Sequence, residues 1–350
     1  MKKFVIAVIV LLVLIAGWLV HLLWSTGSFK TITPHFAGIC RPVRGVVGTE
    51  DITIHPKTGM AYLSVCDWRA LKAGKNARGG IFAYDLKNPQ PALGLLTDGP
   101  GPDFKPHGIS LYVDPGGRDT LFVINHSGGT HKVEIYDLTT DGLIHRRTVA
   151  DPALVSPNDI VGVGRDRFYA SNDHRFTGGL LKTLEDYLKL PLANIVYFDG
   201  RQFQEAADGI GYANGINVSP DGRRLYAAGS TQNVLKIFDR DLESGKLTLH
   251  ESVAFDTGLD NIEIDSEGVL WIGAHPQLLK FVAHAKDPDK LSPSQVLRVE
   301  LKDDGQHQIE EVYLNRGEEL SGSSVGAVYR DRLIIGSVFE EKFLDCRMSR

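Results

Sequence analysis

Ala213-Asn214-Gly215-Ile216-Asn217-Val218-Ser219-Pro220-Asp221-Gly222-Arg223-Arg224-Leu225-Tyr226-Ala227-Ala228-Gly229 reads as a β-hairpin. An alternating strand through Ile216 and Val218 runs into a Pro-Asp-Gly turn, and Leu225-Tyr226-Ala227 returns. A polar pair, Asn214-Gly215, stands immediately before the first strand. The arrangement recurs with Glu50-Asp51 before Ile52, His107-Gly108 before Ile109, Asn158-Asp159 before Ile160, Asp260-Asn261 before Ile262 and Ser323-Ser324 before Val325. The six β-branched anchors are 57, 51, 56, 46 and 63 residues apart. Most units add a third strand, such as Val133-Glu134-Ile135-Tyr136, and several a fourth. A loose period of about 50 residues with several short strands per unit is the pattern of a β-propeller. The expected fold is all-β, a six-bladed propeller over residues 30–350, preceded by a separate segment over 1–29.

In a propeller the innermost strand of each blade lines the central channel. Polar pairs that open all six inner strands therefore converge at one end of it. Polar residues that merely cap strand entries would supply the same residue types, but caps need not recur at one phase in every repeat.

Composition agrees with a folded, soluble body: 43% of the 350 residues are hydrophobic and 23% charged. A net charge of −5 leaves no basic footprint for nucleic acid. Phe4 to Trp24 is an apolar run broken only by Gly17 and His21, spanning about 31 Å as a helix, enough for a bilayer. Lys2 and Lys3 favour a cytoplasmic N-terminus. No small-x-small cleavage site follows, so the run reads as a signal anchor, with a cleaved signal peptide as the alternative. Either way the propeller is exported, membrane-anchored on the periplasmic or extracellular side or secreted. Cys40 and Cys346 flank the propeller, and a disulfide between them would lock its ring, leaving Cys66 free. Leu180 to Leu190 breaks the β pattern with apolar residues at helical spacing. It either covers strand ends or forms a lid or membrane-facing element beside the site.

Glu50, Asn158, Asn214, Asp260 and Asn261 offer two carboxylates and three amide oxygens. Hard oxygen donors in that number suit Ca²⁺ and suit zinc poorly. Asp51 and Asp159 lie one position away and, by strand alternation, point elsewhere, to a second ion between blades. His107 lies in the ring, and His126 ends the second strand of the same blade, so the two imidazoles can pair and activate water. His174 and His275 are expected at the equivalent place in blades three and five; with Asp173 and Tyr212 they are candidate pocket residues. No nucleophile elbow, P-loop or dinucleotide fingerprint is present.

These motifs together resemble the serum paraoxonase/arylesterase family, calcium-dependent six-bladed propellers that hydrolyse lactones and aryl esters. The matching segments include Gly48–Ile52, Pro106–Ser110, Val123–His126, Asn158–Val161, Ser171–His174, Ala213–Asn217, Asp260–Ile262 and His275-Pro276. The resemblance implies that Glu50, Asn158, Asn214, Asp260 and Asn261 hold a catalytic calcium. It implies that Asp51, Asp159 and the Ile109 carbonyl hold a structural one. It also implies a His107–His126 dyad and the Cys40–Cys346 disulfide. Ala274 stands where mammalian relatives carry a free cysteine, and the loop from Asp67 to Gly80 departs from the animal pattern. The sequence therefore points to a lactone and ester hydrolase with two Ca²⁺ ions, anchored by its N-terminal helix. The alternatives are a gluconolactonase- or phosphotriesterase-like propeller without a histidine base and a non-catalytic calcium-binding scaffold.

Overall fold

All six expected hairpins form in the computed structural model, which describes residues 1–88, 90–97, 103–302 and 305–349. The inner strands are Thr49–Ile54, Pro106–Tyr112, Pro157–Gly164, Ala213–Val218, Gly258–Ile264 and Ser323–Tyr329, defining blades one to six. Blades two, three and four are each a four-stranded antiparallel sheet in chain order. Blades one and six share one sheet, and among the described residues their strands pair at a single position, Thr49 with Ser337. Each inner strand packs on the next around the full circle, and blade six returns to blade one.

The alternation of apolar residues gives each blade two greasy faces. Six apolar clusters result, each wedged between two neighbouring blades. Val161, Tyr169 and Ile195 of blade three, for example, meet Ile216, Leu225 and Phe238 of blade four. Burial of this kind stabilises at about 25 cal/mol per Å², and it runs round the ring and leaves the axis free for polar side chains.

The ring closes as the cysteines suggested. Gly38–Arg44 is the outermost strand of blade six, antiparallel to Lys342–Met348, with Cys40 directly opposite Cys346 and disulfide-bonded to it. Cys66 is free and buried. The sequence did not show that His35–Phe36 adds a fifth strand to blade five, so the N-terminal segment straps two blades.

Among the described residues four helices accompany the strands: α1 (Lys2–Ser25), α2 (Trp68–Lys72), α3 (Gly179–Tyr187) and α4 (Leu278–Lys286). The helix expected at 180–190 is α3, shifted to end at Tyr187; Lys189 then takes a left-handed φ of 52° that a helix cannot continue through. α2 and α4 occupy the same connection, second to third strand, in blades one and five. The three helices therefore crown the face on which the inner strands begin. α3 carries its polar side chains inward: buried Glu185 accepts from the backbone N–H groups of Arg175 and Phe176. Leu180, Leu181 and Leu184 are exposed on its outer face.

α1 is 24 residues long, with a mean hydropathy of 2.9 over its most apolar stretch, and is long and apolar enough to cross a membrane. Its C-terminal end is seated on the crowned face. Ser25 O accepts from Lys189 Nζ at 3.2 Å and Asn233 Nδ2 at 3.0 Å, and Thr26 O accepts from Leu278 N at 3.0 Å.

Candidate active site

The pairing of every inner strand with its neighbour slips at the polar pair. The irregularities fall between Thr49 and Asp51, Pro106 and Ile109, Pro157 and Ile160, Ala213 and Ile216, Leu259 and Ile262, and Ser323 and Val325. A bulge breaks strict alternation and re-aims side chains. This is how the adjacent residues Asp260 and Asn261 both reach toward Glu50. Glycine at two pairs permits close strand approach: a Cβ on Gly108 would lie 2.5 Å from Asp159 Cα, and one on Gly215 would lie 2.4 Å from Asp260 O.

Glu50, Asn158, Asn214, Asp260 and Asn261 are all buried at the channel end. Asn261 Nδ2 donates to Glu50 Oε1 at 2.9 Å, and Ser324 Oγ donates to Glu50 O at 2.5 Å. His275 Nε2 meets Asp260 Oδ2 at 2.7 Å. Four acceptors remain: Glu50 Oε2, Asn158 Oδ1, Asn214 Oδ1 and Asn261 Oδ1 are buried without a hydrogen-bond partner among the described residues. Leaving even one such oxygen unsatisfied costs about 1–3 kcal/mol. Burial, with the charges of Asp51 and Asp260, holds the Glu50 carboxyl well above its ordinary range. A bound cation would relieve both penalties. The donor set is oxygen only; among the described residues no three His, Cys, Asp or Glu side chains gather to hold a metal. Amides carry most of the ring, and that composition fits Ca²⁺.

Asp51 and Asp159 point away from this set and bridge blades. Asp51 Oδ2 accepts from Ile109 N, and Asp159 Oδ2 from Ile216 N, both at 2.7 Å. Each also accepts from the amide that follows it, Ile52 N at 2.8 Å and Ile160 N at 2.7 Å. Burial raises both carboxyls, and the charge of Asp51 raises Asp159 further.

A cavity of about 400 Å³ opens above the ring. Its polar floor includes Glu50, His107, Asn158, Asn214 and Asp260, and its apolar walls include Trp68, Phe281 and Phe339. The end of the N-terminal helix contributes Leu22 and Thr26. His107 Nδ1 lies 3.1 Å from His126 Nε2, the pairing expected from the hairpin. His107 Nε2 lies 3.6 Å from Glu50 Oε1. Burial depresses His107 to about 4 and His126 well below the ordinary imidazole value, so both are neutral at pH 7. The Trp68 ring closes over the pair, 5.0 Å from His107 and 5.6 Å from His126. Asp67 places it by capping α2, its Oδ1 accepting from Ala70 N at 2.9 Å.

His174 and His275 line the same cavity but not at the place equivalent to His126. The last paired residues of the second strands are Asn125, Asn172 and His275. His126 therefore lies one residue beyond its pair, His174 two beyond, and His275 within it. His275 binds Asp260 and stacks on Phe281 with centroids 3.8 Å apart. His174 lies between Asp173 Oδ1 (2.6 Å) and Asp186 Oδ1 of α3 (2.7 Å). Burial opposes its charge, but the two carboxylates outweigh burial and hold it at about 9. Tyr212 packs edge-on against His174, its hydroxyl pushed far up by burial.

A family model described as arylesterase matches residues 28–348. Human serum paraoxonase/arylesterase 2 is 37% identical over 309 residues, covering 86% of each chain. Human serum paraoxonase/arylesterase 1 is 34% identical over 331 residues, covering 92% of each. Among solved structures, regucalcin, a calcium-binding protein from Agrobacterium tumefaciens, shares the fold at 15% identity and a TM-score of 0.52, covering 91% of this chain and 97% of its own. With the match spanning nearly the whole propeller, the chain belongs to the arylesterase family.

Proposed function

We propose that this carboxylic-ester hydrolase cleaves lactones and aryl esters at the ring end of the channel in a calcium-dependent reaction. The observation that carries the reading is the set of four unpartnered buried oxygens at the channel end, three of them on residues that line the cavity, beside a neutral histidine pair. Glu50, Asn158, Asn214, Asp260 and Asn261 would hold the catalytic ion, and His275 orients Asp260. Asp51, Asp159 and the Ile109 carbonyl would hold the structural one. A bound Ca²⁺ supplies polarisation of the ester carbonyl and stabilisation of its oxyanion. His107 takes a proton from water at Nε2 and, through Nδ1, is oriented by His126. Trp68, Phe281 and Phe339 offer the apolar surface that an acyl chain or aryl ring needs, and exclude water from it. Residues 1–29 anchor residues 30–350 in a membrane from outside the cytoplasm, with the exposed leucines of α3 facing the same surface.

The test is hydrolysis of a γ-lactone, a long-chain acyl-homoserine lactone and phenyl acetate, with calcium and then with excess EDTA. Calcium-dependent turnover of at least one is expected. No turnover despite calcium-dependent thermal stability would overturn the reading and leave a binding scaffold.

A further inference from the structure

His126 has a second imidazole neighbour that water activation by His107 and His126 leaves unused. Its Nδ1 lies 2.7 Å from His131 Nδ1, and the two rings meet edge-on with centroids 4.8 Å apart. The local sequence explains the meeting. Asn125 pairs with Lys132 at the mouth of a hairpin, so His126 and His131 face each other where its loop begins and ends. Gly128 and Gly129, with φ of 60° and 71°, let Ser127–Thr130 reverse direction in the space available.

Three rings thus form one hydrogen-bonded file. His107 is its inner end, with Nε2 facing the cavity. His131 is its outer end; it is partly exposed, and its Nε2 has no partner among the described residues. A neutral imidazole carries one donor and one acceptor nitrogen, so the file has only two self-consistent polarities. In the outward one, His107 Nδ1–H donates to His126 Nε2 and His126 Nδ1–H donates to His131 Nδ1. That polarity leaves a bare lone pair on His107 Nε2, toward the cavity. Among the described residues no carboxylate is hydrogen-bonded to His126, whereas His174 is clamped by two. The file is therefore built to pass a proton on and not to store a charge.

We infer that His131 is the outlet of a three-histidine relay that carries the proton of the attacking water from the cavity to solvent. The inference rests on the proposed hydrolysis. As the water oxygen bonds to the ester carbonyl carbon, its proton goes to His107 Nε2 and the carbonyl π pair moves to oxygen. His107 Nδ1–H passes to His126 Nε2, His126 Nδ1–H passes to His131 Nδ1, and His131 Nε2–H passes to bulk water. On collapse the carbonyl re-forms and the C–O bond to the leaving group breaks. The leaving alkoxide or phenoxide takes its proton from His107 Nε2, and the file refills from solvent, restoring the starting tautomers.

The test compares wild type, His131→Phe and His131→Gln in the full-length, calcium-loaded protein at constant pH, with phenyl acetate and a γ-lactone. Calcium-dependent melting confirms that each variant is folded. In dilute buffer both variants should lose kcat on the order of tenfold, part of the hundred- to ten-thousandfold of a complete general base, with KM unchanged. Added imidazole should raise the kcat of both variants and leave wild type unaffected, a response that lost packing would not give. Gln can hydrogen-bond His126 and hold its ring but cannot relay, so full activity in His131→Gln would overturn the relay. So would a loss of kcat that imidazole does not restore, or wild-type kcat in His131→Phe. If wild type itself shows no calcium-dependent turnover, the hydrolytic reading fails. If His107→Gln is inactive while both His131 variants match wild type, only the relay fails.

Discussion

His107→Gln separates the chemistry of the site from its metal binding. Gln approximates the size of the imidazole but cannot accept a proton from water at neutral pH. A general base is worth about 10²–10⁴ in rate, which at 1.36 kcal/mol per decade is about 3–5 kcal/mol of barrier. The expected structural cost is much smaller. Beside a backbone contact to Pro157, His107 makes one hydrogen bond to another side chain among the described residues, 3.1 Å to His126, worth about 1 kcal/mol. Its side chain is 18% exposed, and Glu50 Oε1 is 3.6 Å away, beyond hydrogen-bond reach. With about 2.1 cal/mol/K of unfolding entropy per residue over the propeller, 1 kcal/mol lowers Tm by only about 1–2 °C. The assay pairs kcat/KM for phenyl acetate and a γ-lactone with thermal melting in calcium and in EDTA. Turnover should fall at least a hundredfold, while the Tm gain from calcium persists. Turnover within threefold of wild type would refute His107 as the base. Loss of the calcium-dependent Tm gain along with turnover would make His107 part of the metal site instead.

Two further outcomes concern stability. Burial raises Glu50, Asp51 (to about 7) and Asp159 in the folded protein, so the folded state binds more protons than the unfolded one above the ordinary carboxyl pKa. Stability of the calcium-free protein should then fall as pH rises from about 4 to about 7, and saturating calcium should abolish that fall; a calcium-free Tm that climbs over the interval would contradict it. Asp345, 3% exposed in the closing blade, accepts from Arg332 Nε at 2.8 Å, Arg41 Nε at 2.9 Å and Tyr84 OH at 2.8 Å. Asp345→Ala strands the buried Arg332 guanidinium and should cost about 3–5 kcal/mol, a Tm loss of about 4–7 °C; a change under 1 °C in calcium would show that the cluster is not buried as described.

The elements that set the fold were legible because they are periodic. The polar pairs and their β-branched anchors repeat, and repetition revealed the inner strands, the ring and the closure at Cys40 and Cys346. The His107–His126 pairing followed from two strands of one hairpin. What escaped depends on register at strand ends. Strict alternation separates Asp260 from Asn261, and only the bulge between Leu259 and Ile262 shows how both reach toward Glu50. His126, His174 and His275 look equivalent in the repeats, yet they occupy three successive positions because each strand stops at a different residue. α4 carried a visible signal, Leu278, Leu279, Phe281 and Val282 at helical spacing, that the surrounding β pattern masked. α2 has five residues, too short for periodicity to register. The loop holding His131 left no pattern at all, since its meaning lies in two residues five apart folding back on each other.

The closing blade also constrains how the protein is made. Its outermost strand, Gly38–Arg44, is made before any of the six inner strands, and its partner, Lys342–Met348, is made after all of them. Blades two to five can fold in order as they emerge, but Gly38–Arg44 must wait unpaired, a bare edge, until Lys342–Met348 has been made. Ring closure, with its disulfide, is then a single late event, and a chain without Lys342–Met348 leaves blade six incomplete and the circle open.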